Sequence, residues 1–298
     1  MNAVGVLRVE VTSPAPRNAL DRFIRRFNYP AYALAMLALY SLGATALGLA
    51  LAPGLWLFER VTALAASLPA WLAWPARGIG LAFAFFVSGF SLLAVVPVYN
   101  ALLPTRVRPF KGGYFTLAAL PWYLHNGLFY LVRYTFLPFV TLSPFGVWFL
   151  RGMGMRIGRR SFINTERISD PRLITLGDDV ALGGSVRIFA HYGGGGHLVI
   201  APVRVGDGAT IGLGATVMGD VEVGPGATVL PHSVLLPGTR VGAGETWGGV
   251  PAQRITREAM DQYKESIRPY AEAAAERRPG TPQSSKGAVG ESARGGAS

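Results

Sequence analysis

Few side chains in this sequence can carry proton-transfer chemistry. The chain has four histidines and no cysteine, so there is no thiol nucleophile, no disulfide framework and no thiolate metal site. Two of the histidines, His191 and His197, bracket four glycines in "IFAHYGGGGHLVI" (188–200). An imidazole is the natural general base near neutral pH; on spacing alone a solvated loop histidine is the commoner reading of His191. Upstream, "NTERISDP" (164–171) offers Asn164 and Asp170. Asp170 could bond a substrate hydroxyl or orient an imidazole, although "SDP" is also ordinary turn chemistry. His232 falls at a turn and reads as solvated. His125, in an aromatic stretch, reads as interfacial. A zinc site would need three histidines meeting at one place. His191, His197 and His232 lack that spacing, so no metal is expected.

What holds these residues is a repeat. Aliphatic side chains recur every six residues at Val205, Ile211, Val217, Val223, Val229, Leu235 and Val241, with Trp247 at the next step. Small or β-branched residues follow four positions later, at Ala209, Ala215, Val221, Ala227, Ser233 and Thr239. Neither a helix nor an isolated strand has this period; a parallel β-helix does, with three hexads closing one triangular coil. Earlier matches are Ile157, Ile163, Leu176, Leu182 and Ile188. The steps from Ile163 to Leu176 and from Ile188 to Val205 are not multiples of six. Two loops are therefore expected to leave the coil, at about 164–174 and 189–202, and the glycines read as a pliable part of the second.

The text "VGDGATIGLGATV…VGPGATVLPHSVLLPGTRVGAGETWGGVPAQRITRE" resembles hexapeptide-repeat acyltransferases over roughly Gly146–Glu258. "GMRIGRRSFINTERISDPRLITLGDD" is similar to the membrane-anchored hexapeptide module at the C-terminus of polyamino-acid and peptide synthetases. The resemblance, rather than the period, implies a left-handed coil. It also implies an acetyl-CoA or other acyl-CoA donor, a homotrimer with sites between subunits, and His191 as the base in "FAHYGGGGHLVIAPVRVG". On the same grounds Asn164, Asp170 and His197 are acceptor-binding candidates. Gly212 and Ala215 would border the donor on the coil face, and Arg254 and Arg257 would hold its phosphates. In the family the first arginine stands where this chain has Gln253, so the arginine contacts are shifted by one position.

The first half of the chain has a different character. No charged residue occurs from Phe27 to Phe58 or from Gly78 to Thr105, and each run exceeds the roughly 20 residues that span a bilayer. Arg17, Arg22, Arg25 and Arg26 precede the first run, and Arg106, Arg108 and Lys111 follow the second. Both ends are thus expected on the cytoplasmic side of an inner membrane, with residues 59–77 at the outer interface. Residues 113–150, aromatic and broken by prolines, suggest interfacial or re-entrant helices. Much of the net charge of +11 flanks the apolar runs, where anionic lipid accounts for it; no nucleic-acid motif is present.

The expected organisation is a basic arm (1–28), a membrane α-helical region (29–150), an all-β left-handed parallel β-helix (151–253), a C-terminal helix (254–278) and a disordered tail (279–298). The expected activity is acyl transfer from a CoA or carrier-protein thioester to a hydroxyl or amine, on a membrane-linked or polymeric acceptor. A non-catalytic membrane scaffold and a peptide-release or capping module stand as alternatives.

Overall fold

The computed structural model describes Ala19, Arg22, residues 26–114 and residues 116–276. The expected tail, most of the basic arm and the end of the C-terminal helix lie outside the described residues. Two helices dominate the first part, α1 (Asn28–Ala65) and α2 (Ala70–Leu102). They run through the segment expected at an outer interface and turn only at residues 66–69, where Pro69 caps the start of the second helix. Their contact is close where side chains are small. A Cβ on Gly54 would strike the Ala84 carbonyl, and one on Gly80 would approach Val61 to 2.7 Å. Large apolar side chains such as Leu34, Leu37, Trp56, Ile79 and Phe83 point outward and are exposed.

Residues 113–150 form three shorter helices, α3 (Leu120–Arg133), α4 (Leu137–Val140) and α5 (Pro144–Gly152). At 1.5 Å per residue α3 is about 21 Å long, short of the roughly 30 Å hydrocarbon layer. Its buried residues Leu128, Phe129 and Val132 pack into one core. That core begins with Ala50, Leu92 and Val96 of α1 and α2 and continues into the coil through Phe149, Met153 and Met155. Packing therefore crosses residue 150 without a break.

The second half is a β-solenoid with three faces of short parallel strands. The first face carries Arg156–Ile157, Ile174–Leu176, Val203–Val205, Val221–Val223 and Arg240–Val241. The second runs from Phe162–Ile163 to Thr228–Val229 and Thr246–Gly248, and the third holds Ile168–Ser169, Arg187–Phe189, Thr216–Val217 and Val234–Leu235. The six-residue aliphatic positions point inward, with Ile188, Ile211, Val217, Val229 and Leu235 fully buried. The small positions, Ala209, Ala215, Ala227 and Ser233, fill the space between them and are also fully buried.

Glycine serves two separate purposes here. Gly212 lies under the next coil, where a Cβ would approach the Pro231 nitrogen to 2.5 Å. Gly208, three residues after Val205, has φ of 66°, a torsion that costs any other L-residue. Asp220 and His232 take the same left-handed corner at φ of 65° and 58°. His232 is exposed there, as expected.

Two expectations are corrected. Residues 164–174 do not form a loop. The strand Ile168–Ser169 stays on the third face, reached by a five-residue step from Ile163, and the turn Pro171–Leu173 takes up the excess. Residues 189–202 are not a pliable loop either. They form a β-hairpin that joins a three-stranded antiparallel sheet with β1 (Phe110–Gly113), β2 (His191–Gly194) and β3 (His197–Ile200), in which β3 lies in the middle. Gly195 and Gly196 make the two-residue turn with φ of 57° and 78°. Two consecutive positive values are what a type I′ hairpin turn requires, so the glycines fix this loop.

The C-terminal helix α6 (Arg257–Glu276) forms a separate unit from residue 255 onward. Its first turn is capped by Thr256, whose hydroxyl accepts the Ala259 N–H at 3.2 Å.

Candidate active site

Two neighbouring strands of the third face bring Asp170 and His191 together. Ser169 pairs with Phe189 in register. Asp170 is the next residue after Ser169, and His191 is the second after Phe189, so both leave the coil at the same corner. Asp170 turns there with φ of 59°, a left-handed conformation that aspartate tolerates better than most residues. The result is a hydrogen bond of 2.5 Å from His191 Nδ1 to Asp170 Oδ2.

The carboxylate is fully buried, whereas the imidazole keeps 23 % of its surface exposed. A buried carboxylate needs donors in place of water, and helix α3 supplies them. Trp122 Nε1 and Asn126 Nδ2 each donate to Asp170 Oδ1 at 2.7 Å, and the Asp170 N–H donates to Asn126 Oδ1 at 3.3 Å. One turn further along, the Tyr130 hydroxyl bonds the Ser169 hydroxyl at 2.9 Å, and Arg133 donates to the same oxygen at 3.1 Å. Residues 122, 126, 130 and 133 follow the helical period, so one stripe of α3 tracks the corner at 169–170.

His191 is confined on its sides as well. Trp122 meets it edge-on at 5.1 Å between ring centroids, and Phe189 lies at 6.0 Å. With Nδ1–H committed to Asp170, Nε2 is the nitrogen left to accept a proton, and no described group bonds it. This is the arrangement of a general base whose tautomer is held by a carboxylate.

No protein-family model matches the chain, and no curated protein sequence matches it. Solved structures do. The chain is similar to galactoside acetyltransferase in complex with coenzyme A, at 16 % identity over 47 % of this chain and 83 % of that one, with a TM-score of 0.38. It is similar to maltose O-acetyltransferase from Clostridium difficile 630, at 14 % identity over 50 % and 92 %, TM-score 0.38. A third is the hexapeptide-repeat-containing acetyltransferase from Vibrio cholerae O1 biovar eltor with acetyl coenzyme A, at 16 % identity over 42 % and 84 %, TM-score 0.35.

The other expected site residues are placed differently. Asp170 has no surface to offer an acceptor, so its contact is the imidazole. His197 pairs with Gly194 near the hairpin tip, three strand residues or about 10 Å from His191. An odd number of steps also puts it on the opposite face of the hairpin, where its Nδ1 bonds the Gly195 carbonyl at 2.7 Å. Asn164 lies one corner before Asp170, beside Gly184, and no described residue bonds its side-chain amide.

Gly212 and Ala215 are accounted for by the coil. Their N–H groups donate to Val229 and Gly212, and the Ala215 side chain is fully buried. Arg254 is exposed and forms an ion pair with Glu245 at 3.1 Å. The Arg257 side chain lies outside the described residues. Finally, His125 is not interfacial. It is fully buried, its Nδ1 bonds Asn100 Oδ1 at 2.8 Å, and burial lowers its pKa to about 4.

Sequence reasoning missed Trp122, Asn126, Tyr130 and Arg133. Their four-, four- and three-residue spacing within "PWYLHNGLFYLVR" is the signal that could have found them.

Proposed function

We propose that this protein is a membrane-embedded acyltransferase that moves an acyl group from a CoA thioester to a hydroxyl or amine. The observation that carries this reading is the His191–Asp170 pair, with Nε2 unbonded and partly open. In the proposed reaction Nε2 takes the proton of the acceptor O–H or N–H as that atom attacks the thioester carbonyl carbon. The tetrahedral intermediate then collapses, the C–S bond breaks, and the imidazolium returns its proton to the departing thiolate. Asp170 steadies the imidazolium while it exists and keeps the ring from turning. Trp122 and Asn126 hold Asp170.

Acyl-CoA as donor follows from the sequence resemblance, as do the left-handed coil and a trimer. Arg254 and Arg257 remain its candidate phosphate contacts. Asn164, with an unbonded amide, and His197 remain candidate contacts to an acceptor reached from a neighbouring copy. Placement in the membrane is supported by the exposure of the apolar surfaces of α1 and α2, since water does not tolerate apolar patches of that extent on a single chain.

The test is His191→Ala in the full chain, assayed for transfer of labelled acetyl from acetyl-CoA into membrane and envelope extracts. The variant should lose transfer while still inserting and assembling like the wild type. Transfer at the wild-type rate would end the His191 mechanism, and no transfer by the wild type itself would favour a non-catalytic scaffold. Acyl-carrier protein offered in parallel separates the two thioester donors.

A further inference from the structure

A cavity of about 610 Å³ opens just beyond the end of α2. Its walls include Leu103, Pro104, Phe110 and Trp122, and its charged lining is Arg106 and Arg108. Burial alternates along this segment, with Thr105 and Val107 inside and the two arginines outside. Both guanidinium groups therefore face the same side, and neither makes an ion pair or hydrogen bond with any described residue. The start of the segment is pinned. The Thr105 hydroxyl donates to the Asn100 carbonyl at 2.5 Å, and the side chain of Asn100 is held by His125.

This cavity adjoins the catalytic corner. Phe110 pairs with Ile200, and Ile200 pairs with His191 across the hairpin, so the cavity wall lies one strand spacing, about 4.8 Å, from the next strand toward the base. Trp122 belongs to both places, lining the cavity while donating to Asp170.

Two unpaired guanidinium groups suit a phosphate. The other walls are apolar, and the cavity stands where the uncharged run 78–105 ends, which in the proposed membrane placement is the depth where a lipid head group meets water. We propose that this cavity binds the phosphate of an anionic membrane lipid and directs the rest of that head group toward His191 as the acyl acceptor. The acceptor role rests on the acyltransferase reading; binding does not. The acceptor is then a hydroxyl or amine a few bonds beyond a lipid phosphate.

The test uses the full chain in detergent, with native mass spectrometry to follow binding of phosphatidylglycerol, phosphatidylcholine and free glycerol phosphate. Phosphatidylglycerol should bind best, and the double variant Arg106→Gln/Arg108→Gln should weaken it about tenfold or more. Arg22→Gln/Arg26→Gln removes the same charge from the same end of the helix pair, before α1 rather than after α2, and should change binding by less than about twofold. Equal losses in the two double variants would mean general surface attraction and would overturn the proposal. Equal binding of glycerol phosphate would overturn it in favour of a soluble phosphate ligand. In a transfer assay the cavity variant should raise the KM for the lipid and leave the KM for acetyl-CoA unchanged. Selective lipid binding without transfer from any thioester would remove the catalytic reading and leave the site. Transfer to a soluble acceptor without lipid binding would do the reverse.

Discussion

Asp170→Asn is the sharpest probe of the catalytic corner, because its two possible amide orientations have different costs. With its oxygen toward His191, the new NH2 group faces Trp122 Nε1 and Asn126 Nδ2, which both lie 2.7 Å from Oδ1 in the native structure. Two buried donors would then lose their acceptor, at about 1–3 kcal/mol each. With its oxygen toward Trp122 and Asn126 those bonds survive, and the NH2 group faces His191 Nδ1. The imidazole can then satisfy it only by moving its own proton to Nε2, the atom that must accept the substrate proton. The second orientation costs less, so the variant should fold and melt close to the wild type with its base in the wrong tautomer. Loss of general-base catalysis is expected to lower kcat about 10²- to 10⁴-fold, or roughly 3–5 kcal/mol of activation free energy. Release of free CoA can be followed with a thiol-reactive dye, and a chain without cysteine gives no background. A folded Asp170→Asn protein with kcat within about threefold of wild type would refute the assignment of Asp170 as the group that holds the tautomer.

The buried histidine gives a pH dependence whose sign can be worked out. His125 has a folded pKa of about 4 against about 6.5 when unfolded. Below pH 6.5 the unfolded chain therefore binds more protons, and stability falls as pH drops toward 4. Between pH 7 and pH 5 this group alone should cost about 2 kcal/mol, and His125→Asn should flatten that part of a melting-temperature profile; an unchanged profile would contradict the burial. In the coil, Gly212→Ala places a methyl group against the Pro231 backbone and should destabilise by about 2 kcal/mol or more. Gly208→Ala, with open space around its Cβ, should cost only about 1 kcal/mol through its torsion. Thermal melts of the two variants would separate them, and equal losses would contradict the stacking argument.

The six-residue period made the solenoid legible because each inward position is set by local spacing alone. Val205 through Val241 needed no knowledge of what packs where, and the same register showed that the chain departs from the coil after Ile188. The period could not show what the departing segment does. Whether 189–202 is a loop or a hairpin depends on a partner strand, Phe110–Gly113, some eighty residues earlier, and period counting is blind to such pairing. Asp170 was legible as a residue that binds a hydroxyl or orients an imidazole, but the choice between the two was not. The Ser169–Phe189 register that sets it beside His191 emerges only once the thirteen-residue step is resolved into a short step and a long one. Trp122 and Asn126 were hidden for another reason. They lie in an aromatic stretch whose apolar character pointed to lipid, although one stripe of it turns out to face the acid.

That stripe on α3 changes what a fragment of this protein can be. A chain cut at residue 151 would retain every hexad, His191 and Asp170, and on sequence grounds it would pass for a complete soluble enzyme. It would lack the two α3 donors to the buried carboxylate and the strand that flanks the hairpin, and it would expose the apolar end of the first coil. On the proposed function the helical half is thus a wall of the catalytic chamber as well as an anchor, and detergent choice becomes part of keeping His191 aligned.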